Sequence, residues 1–94
     1  MEIRWLPSAL ADLEAVRAYI ARDNPAAAER VLERIFSEVA GLVSLPHIGR
    51  PGRVANTREL IVPSTPFIIP YRVHEGRVII LAVIHAARQW PDTL

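Results

Sequence analysis

Arg58, Arg72, His85 and Arg88 are the side chains of this 94-residue sequence whose types could act together on a charged substrate. Guanidinium groups match phosphodiester oxygens and stabilise charge developing on phosphorus, and an imidazole could exchange the proton. Each also has a structural role open to it. Arg58 beside Glu59 could be a solvated strand end, Arg72 could cover a sheet face, and His85 could be a hydrogen-bonded structural histidine. Other chemistries find less support. The histidines at 47, 74 and 85 stand without any cysteine, and strand spacing separates His74 from His85, so no metal site is expected. A phosphate-binding glycine loop and a nucleophile elbow are both missing, and the four glycines fall at turn positions, so no cofactor is expected.

These residues sit on elements that hydrophobic periodicity makes legible. Glu2 to Leu6 alternates polar and apolar, a short strand stopped by Pro7. Ser8 is the expected N-cap of a first helix, whose Leu10, Leu13, Val16 and Ile20 recur at three- and four-residue spacing. Asn24-Pro25 reads as the N-cap and first residue of a second helix. Its stripe is Ala28, Val31, Leu32, Ile35, Val39, Leu42 and Val43. So short a connection predicts an antiparallel helical hairpin.

Residues 46–53 hold prolines, glycines and arginines in a run that reads as a loop. Strand patterns follow at Arg58 to Val62, Pro66 to His74 and Arg77 to His85, with Glu75-Gly76 as a tight turn. If His74 faces Arg77, then Tyr71 faces Ile80 and Phe67 faces Ile84. Val78 to Ile84 is apolar on both faces, so the last strand should be central. Pro70 cannot donate to a ladder, which predicts a bulge or an edge-facing amide there.

Length and charge bound the function. A chain of this size has room for a single core, here a single domain over residues 1–94, and zero cysteines exclude a disulfide framework. The longest apolar run is far shorter than the about 20 residues of a membrane helix, and no export pattern opens the chain. A cytoplasmic location and no membrane partner are expected. All eleven basic residues are arginine. Residues 1–46 carry five of them against seven acids, and residues 47–94 carry six against three, so an anionic partner would be drawn to the second half.

In order and spacing, several segments together resemble the RelE/ParE superfamily of bacterial toxins. They are Trp5, Ala9 to Leu13, Asn24-Pro25, Leu45-Pro46-His47-Ile48-Gly49-Arg50-Pro51-Gly52, Thr57-Arg58-Glu59-Leu60, Pro66 to Val73 and Val83 to Pro91. The resemblance implies an α+β fold, with an N-terminal strand and a two-helix hairpin packed on an antiparallel sheet of order 1-4-3-2. It also implies a type II toxin neutralised by an antitoxin from an adjacent gene. RelE-like members cut messenger RNA on the ribosome, and ParE-like members inhibit DNA gyrase by binding. RelE-like sequences place an arginine after the aromatic that opens the third strand, where this chain has Ile68. They also use lysines, which are absent here, and a late tyrosine, whereas none follows Tyr71.

The resemblance therefore favours the ParE-like branch, a gyrase inhibitor rather than an enzyme, with a ParD-like antitoxin. It implies nucleic acid contact only through the antitoxin complex. Arg58, Arg88 and Trp90 are the expected target-binding residues, since arginine and tryptophan dominate interfaces. The alternatives are a RelE-like endoribonuclease using Arg58, Arg72, His85 and Arg88, and an inactive homologue that only binds antitoxin.

Overall fold

The computed structural model describes residues 1–88 and 90. Strand β1 (Glu2–Trp5) leads into helices α1 (Pro7–Ala21) and α2 (Pro25–Ala40), and a 3-10 turn follows at Gly41–Val43. The remaining strands are β2 (Arg50–Pro51), β3 (Arg58–Ile61), β4 (Phe67–His74), β5 (Arg77–Ile80) and β6 (Ile84–His85). The α+β architecture of two helices packed on a sheet is the expected one.

Asn24 caps α2 as its sequence predicts, with Oδ1 accepting from the Ala27 amide at 3.0 Å and Pro25 at the first helical position. The start of α1 differs. Leu6 is its N-cap and offers no side-chain acceptor, while Ser8 Oγ donates to the Leu81 carbonyl instead. The α1 stripe also shifts by one residue. Ala9 and Leu13 are buried while Leu10 is 49% exposed, because the 9, 13, 16, 20 series stays on one face and Leu10 lies one residue, about 100°, off it. On α2 the expected stripe is buried or half-buried from Ala28 to Leu42, but Val43, in the 3-10 turn, is exposed.

The sheet runs β1-β5-β4-β3-β2, with β6 pairing β4. Apart from the added β2 and the separation of β6, this is the expected order, but the sheet is mixed because β1 pairs β5 in parallel. A period-2 pattern carries no direction, and only strands joined by a tight turn are forced antiparallel. The β4–β5 hairpin is such a pair: Glu75 and Gly76 both have positive φ, and Tyr71 faces Ile80 as predicted. β5 lies between β1 and β4, the central place expected of it, with Val78 and Ile80 buried on one face and Arg77 and Ile79 on the less covered one.

Beyond Leu81 the register slips by one. Phe67 faces His85 and Ile68 faces Ile84, rather than Phe67 facing Ile84. Pro70 supplies the reason. Its carbonyl accepts from the Leu81 amide at 3.0 Å, but it has no N–H to return to the Leu81 carbonyl. The chain bulges over Leu81–Val83, and α1 serves the freed groups: Ser8 Oγ donates to Leu81, and Asp12 Oδ2 accepts from the Val83 amide at 3.0 Å. Ser8 and Asp12 are four residues apart on one helix face, so α1 locks the bulge that the proline creates.

The core lies between helices and sheet. Phe67, Ile69 and Tyr71 of β4 meet Ala9, Leu13, Ile35 and Val39 there. The even-numbered residues of β4 point to the opposite face. Among the described residues, no helix is long and apolar enough to cross a membrane.

Candidate functional site

Two regions gather the functional candidates. The first is the loop before β3. The sequence suggests no regular structure there, yet Arg50–Pro51 forms β2 against Arg58 and Glu59. The reason is Glu59, which is 3% exposed. Its Oε1 accepts from Arg50 Nε and Nη2 at 3.0 and 2.9 Å, and its Oε2 accepts from the Arg53 amide and Nε at 2.9 and 3.3 Å. Burial alone would raise the carboxyl's pKa, but the Arg53 amide and the two guanidinium groups outweigh it and hold Glu59 below the ordinary glutamate value.

On the helix side of the same strands, Tyr71 Oη accepts from the Gly49 amide at 2.9 Å and donates to the Pro46 carbonyl at 2.8 Å. Burial pushes its phenol up, against the opposing Gly49 bond and the Arg58 charge. Arg58, the register partner of Tyr71, donates through Nη1 to the carbonyls of His47 and Gly49 at 3.1 and 2.8 Å. It is half-buried and fastens the loop, so its fixed contacts are with its own backbone.

The second region is a cleft of about 610 Å³ between α1, the β3–β4 turn and the segment after β6. Val16, Ile20 and Phe67 give it apolar walls, and Tyr19, His85 and Arg88 line it with polar groups. His85 lies edge-on to Phe67 with ring centres 5.6 Å apart. Its Nδ1 accepts from the Ala87 amide at 3.1 Å, so in the neutral ring Nε2 carries the hydrogen and acts as a donor. Arg88 is exposed, and its amide donates to the His85 carbonyl at 3.0 Å.

The structure therefore brings His85 and Arg88 together but not the whole set. Arg58 pairs with Tyr71 and His85 with Phe67, four residues apart along β4, or about 13 Å. Arg72, half-buried, projects from the opposite face of the sheet. Trp90 belongs to neither region's polar groups. Its ring lies under the Arg53 guanidinium at 3.7 Å, and its Nε1 is buried without a partner among the described residues. Among those residues, no group of three or more His, Asp or Glu side chains is placed to hold a metal ion.

Sequence reasoning missed the joint role of Arg50, Arg53 and Glu59. The available signal was a glutamate inside an otherwise apolar strand end, which needs a partner if buried.

Comparison with known proteins places this geometry in a lineage. Residues 3–90 match the family model for the ParE toxin of the type II toxin–antitoxin system parDE. The chain is 49% identical over 92 residues to Y4kP of Sinorhizobium fredii, a protein named as a toxin, covering 98% of this chain and 95% of that one. It is 40% identical over 87 residues to the toxin RelE2 of Caulobacter vibrioides, covering 93% and 97%. A chain of the chromosomal ParDE system from P. aeruginosa superposes with a TM-score of 0.80 at 31% identity, covering 90% of this chain and 95% of that one.

Proposed function

From the premise that this chain belongs to the ParE family of type II toxin–antitoxin toxins, we propose that it acts on DNA gyrase by binding and performs no covalent chemistry of its own. The observation that carries this reading is the dispersal of Arg58, Arg72, His85 and Arg88 over two faces of the sheet. Phosphoryl transfer needs its charge-stabilising and proton-transferring groups around one reacting atom. Here Arg58 is engaged with loop carbonyls, and His85 presents a donor nitrogen. A binding mechanism needs only exposed groups on a rigid frame, and Arg88 meets that requirement.

The partner that neutralises it is a ParD-like antitoxin from a neighbouring gene. The P. aeruginosa system that this fold matches is itself described as a ParDE pair. The cleft beside α1 suits an antitoxin segment that buries an apolar side chain against Val16, Ile20 and Phe67 and sets an acid beside Arg88.

Purified toxin should inhibit gyrase supercoiling or accumulate cleaved DNA, and antitoxin should reverse the effect. Ribosome-dependent cleavage of a messenger, lost in His85→Ala or Arg72→Ala, would instead establish the endoribonuclease, the reading favoured by the name of the relative RelE2. A protein that binds antitoxin and does neither is the inactive homologue.

A further inference from the structure

The strand register sorts the charges of this chain onto two layers. In paired strands, partners share a face, so Arg4, Ile79 and Arg72 form one row across β1, β5 and β4 on the side away from the helices. Glu2, Arg77 and His74 form the next row. Arg50 and Glu59 continue the same face on β2 and β3. With Arg53, which joins Glu59, and Glu75, which lies 3.7 Å from His74, this face holds five arginines against three glutamates among the described residues.

The helices and the 3-10 turn, residues 7–43, hold four arginines against six acids. The sheet face thus carries a net positive charge among the described residues and the helix layer a net negative one, although the chain's net charge is only +1.

We propose that the β1–β5–β4 end of this face, beyond the buried Ile68, Pro70 and Glu59, binds the phosphate backbone of double-stranded DNA directly, through Arg4, Arg72 and Arg77. The choice of DNA over other polyanions rests on the gyrase reading, because a gyrase-bound toxin works beside cleaved duplex. The expectation that nucleic acid is met only through the antitoxin could not take this face into account, since the arginines come from separate strands.

Charge complementarity supports the assignment. Arg4 and Arg72 lie two strand spacings apart, about 10 Å, with Arg77 two residues further along, about 7 Å. The side chains of Arg4 and Arg77 are 60% and 48% exposed. Glu2 is shared between them, accepting from Arg4 Nε at 2.5 Å and lying 3.6 Å from Arg77 Nε, so among the described residues one carboxylate serves two guanidinium groups. Ile79, half-buried, is the one apolar residue of the two rows, so a protein partner would find a single aliphatic contact and no aromatic anchor there. A phosphate backbone requires only donors and charge.

The experiment is fluorescence anisotropy of the purified toxin with a labelled duplex, without gyrase, across a salt series. Sequence-independent binding is expected in the range of about 10⁻⁴ to 10⁻⁶ M, weakening as salt rises. Arg4→Glu with Arg77→Glu should raise Kd roughly tenfold or more and flatten the salt slope by about one for each phosphate that is no longer neutralised. Glu2→Gln should tighten binding. Arg30→Glu with Arg34→Glu, the same charge change on α2, should leave Kd within about twofold if the effect is local, and thermal melts confirm that each variant folds.

No binding in this range, or an equal loss from the α2 variant, overturns the proposal. So does an acidic peptide that binds the face more tightly than duplex, which would make it a protein-docking surface. Capture of gyrase in the absence of DNA is measured in parallel. Its failure with duplex binding intact would remove the gyrase reading and leave this surface standing.

Discussion

The guanidinium of Arg53 lies 3.7 Å from the centre of the Trp90 ring, and the same side chain reaches the buried carboxylate of Glu59. One arginine therefore couples the strand that carries Glu59 to the segment that follows β6. A candidate binding residue thus has a structural contact of its own. Trp90→Phe retains a ring for the guanidinium and should melt within about 1 kcal/mol of wild type, whereas Trp90→Ala should lose about 1–3 kcal/mol. If Trp90 also touches the target, Trp90→Phe will lose toxicity while its melting temperature holds. Preserved toxicity in that variant would assign Trp90 to the fold alone.

Glu59 makes acid stability a readout of the loop. Its folded pKa is depressed, so its contribution is fully present above the ordinary glutamate value of 4.5 and is lost as pH falls through the lower folded value. The wild-type melting temperature should fall in that window, and Glu59→Gln should fall less steeply there. At neutral pH the Gln variant should be less stable by about 2 kcal/mol, a figure kept modest because both arginines are half-exposed. Thermal melts from pH 7 to pH 3 measure both effects, and identical acid slopes would remove Glu59 as the cause.

Tyr71 predicts the opposite limb. Its raised phenol pKa means that stability is complete below the ordinary value of 10.0 and is lost as pH climbs through the higher folded value. Tyr71→Phe should abolish that alkaline loss. It should also cost about 1–3 kcal/mol at neutral pH by stranding the Gly49 amide and the Pro46 carbonyl. Gly49→Ala should cost at least as much, because a Cβ there would sit 2.6 Å from Tyr71 Oη and 2.7 Å from Cε1. Since both changes act on one contact, the double variant should cost less than the sum of the two, which denaturant titration of all three would show.

How far the sequence carried these conclusions depended on whether a feature is local. Asn24-Pro25, Glu75-Gly76 and the α2 stripe from Ala28 to Leu42 follow from neighbours a few residues apart and stand as expected, with only Val43 falling outside the stripe. Pro70 announced a break in the ladder. Its position on the opposing strand, and the locking of that break by Ser8 and Asp12, required contacts more than 70 residues away in sequence. The parallel β1–β5 pairing was hidden for the same reason, whereas β2 lies close in sequence to β3 and was hidden because the burial of Glu59 is not encoded in alternation. Of the candidate site residues, their identities were visible, but their sorting between two sheet faces is a property of register.

Arg58 and Arg88 should separate cleanly when each is replaced by alanine. Arg58 spends its guanidinium on the carbonyls of His47 and Gly49, so Arg58→Ala should lower stability by about 1–3 kcal/mol and loosen the 46–50 loop to amide exchange. Arg88 is exposed beside the cleft, and Arg88→Ala should leave the melting temperature within about 0.5 kcal/mol of wild type, as surface changes do. Loss of gyrase inhibition by Arg88→Ala with antitoxin affinity unchanged would make it a target contact. Loss of antitoxin affinity with inhibition intact would assign the cleft to the antitoxin. An Arg88→Ala protein unchanged in both would show that the cleft mouth serves neither partner, leaving the exposed arginines of the sheet face as the place to look.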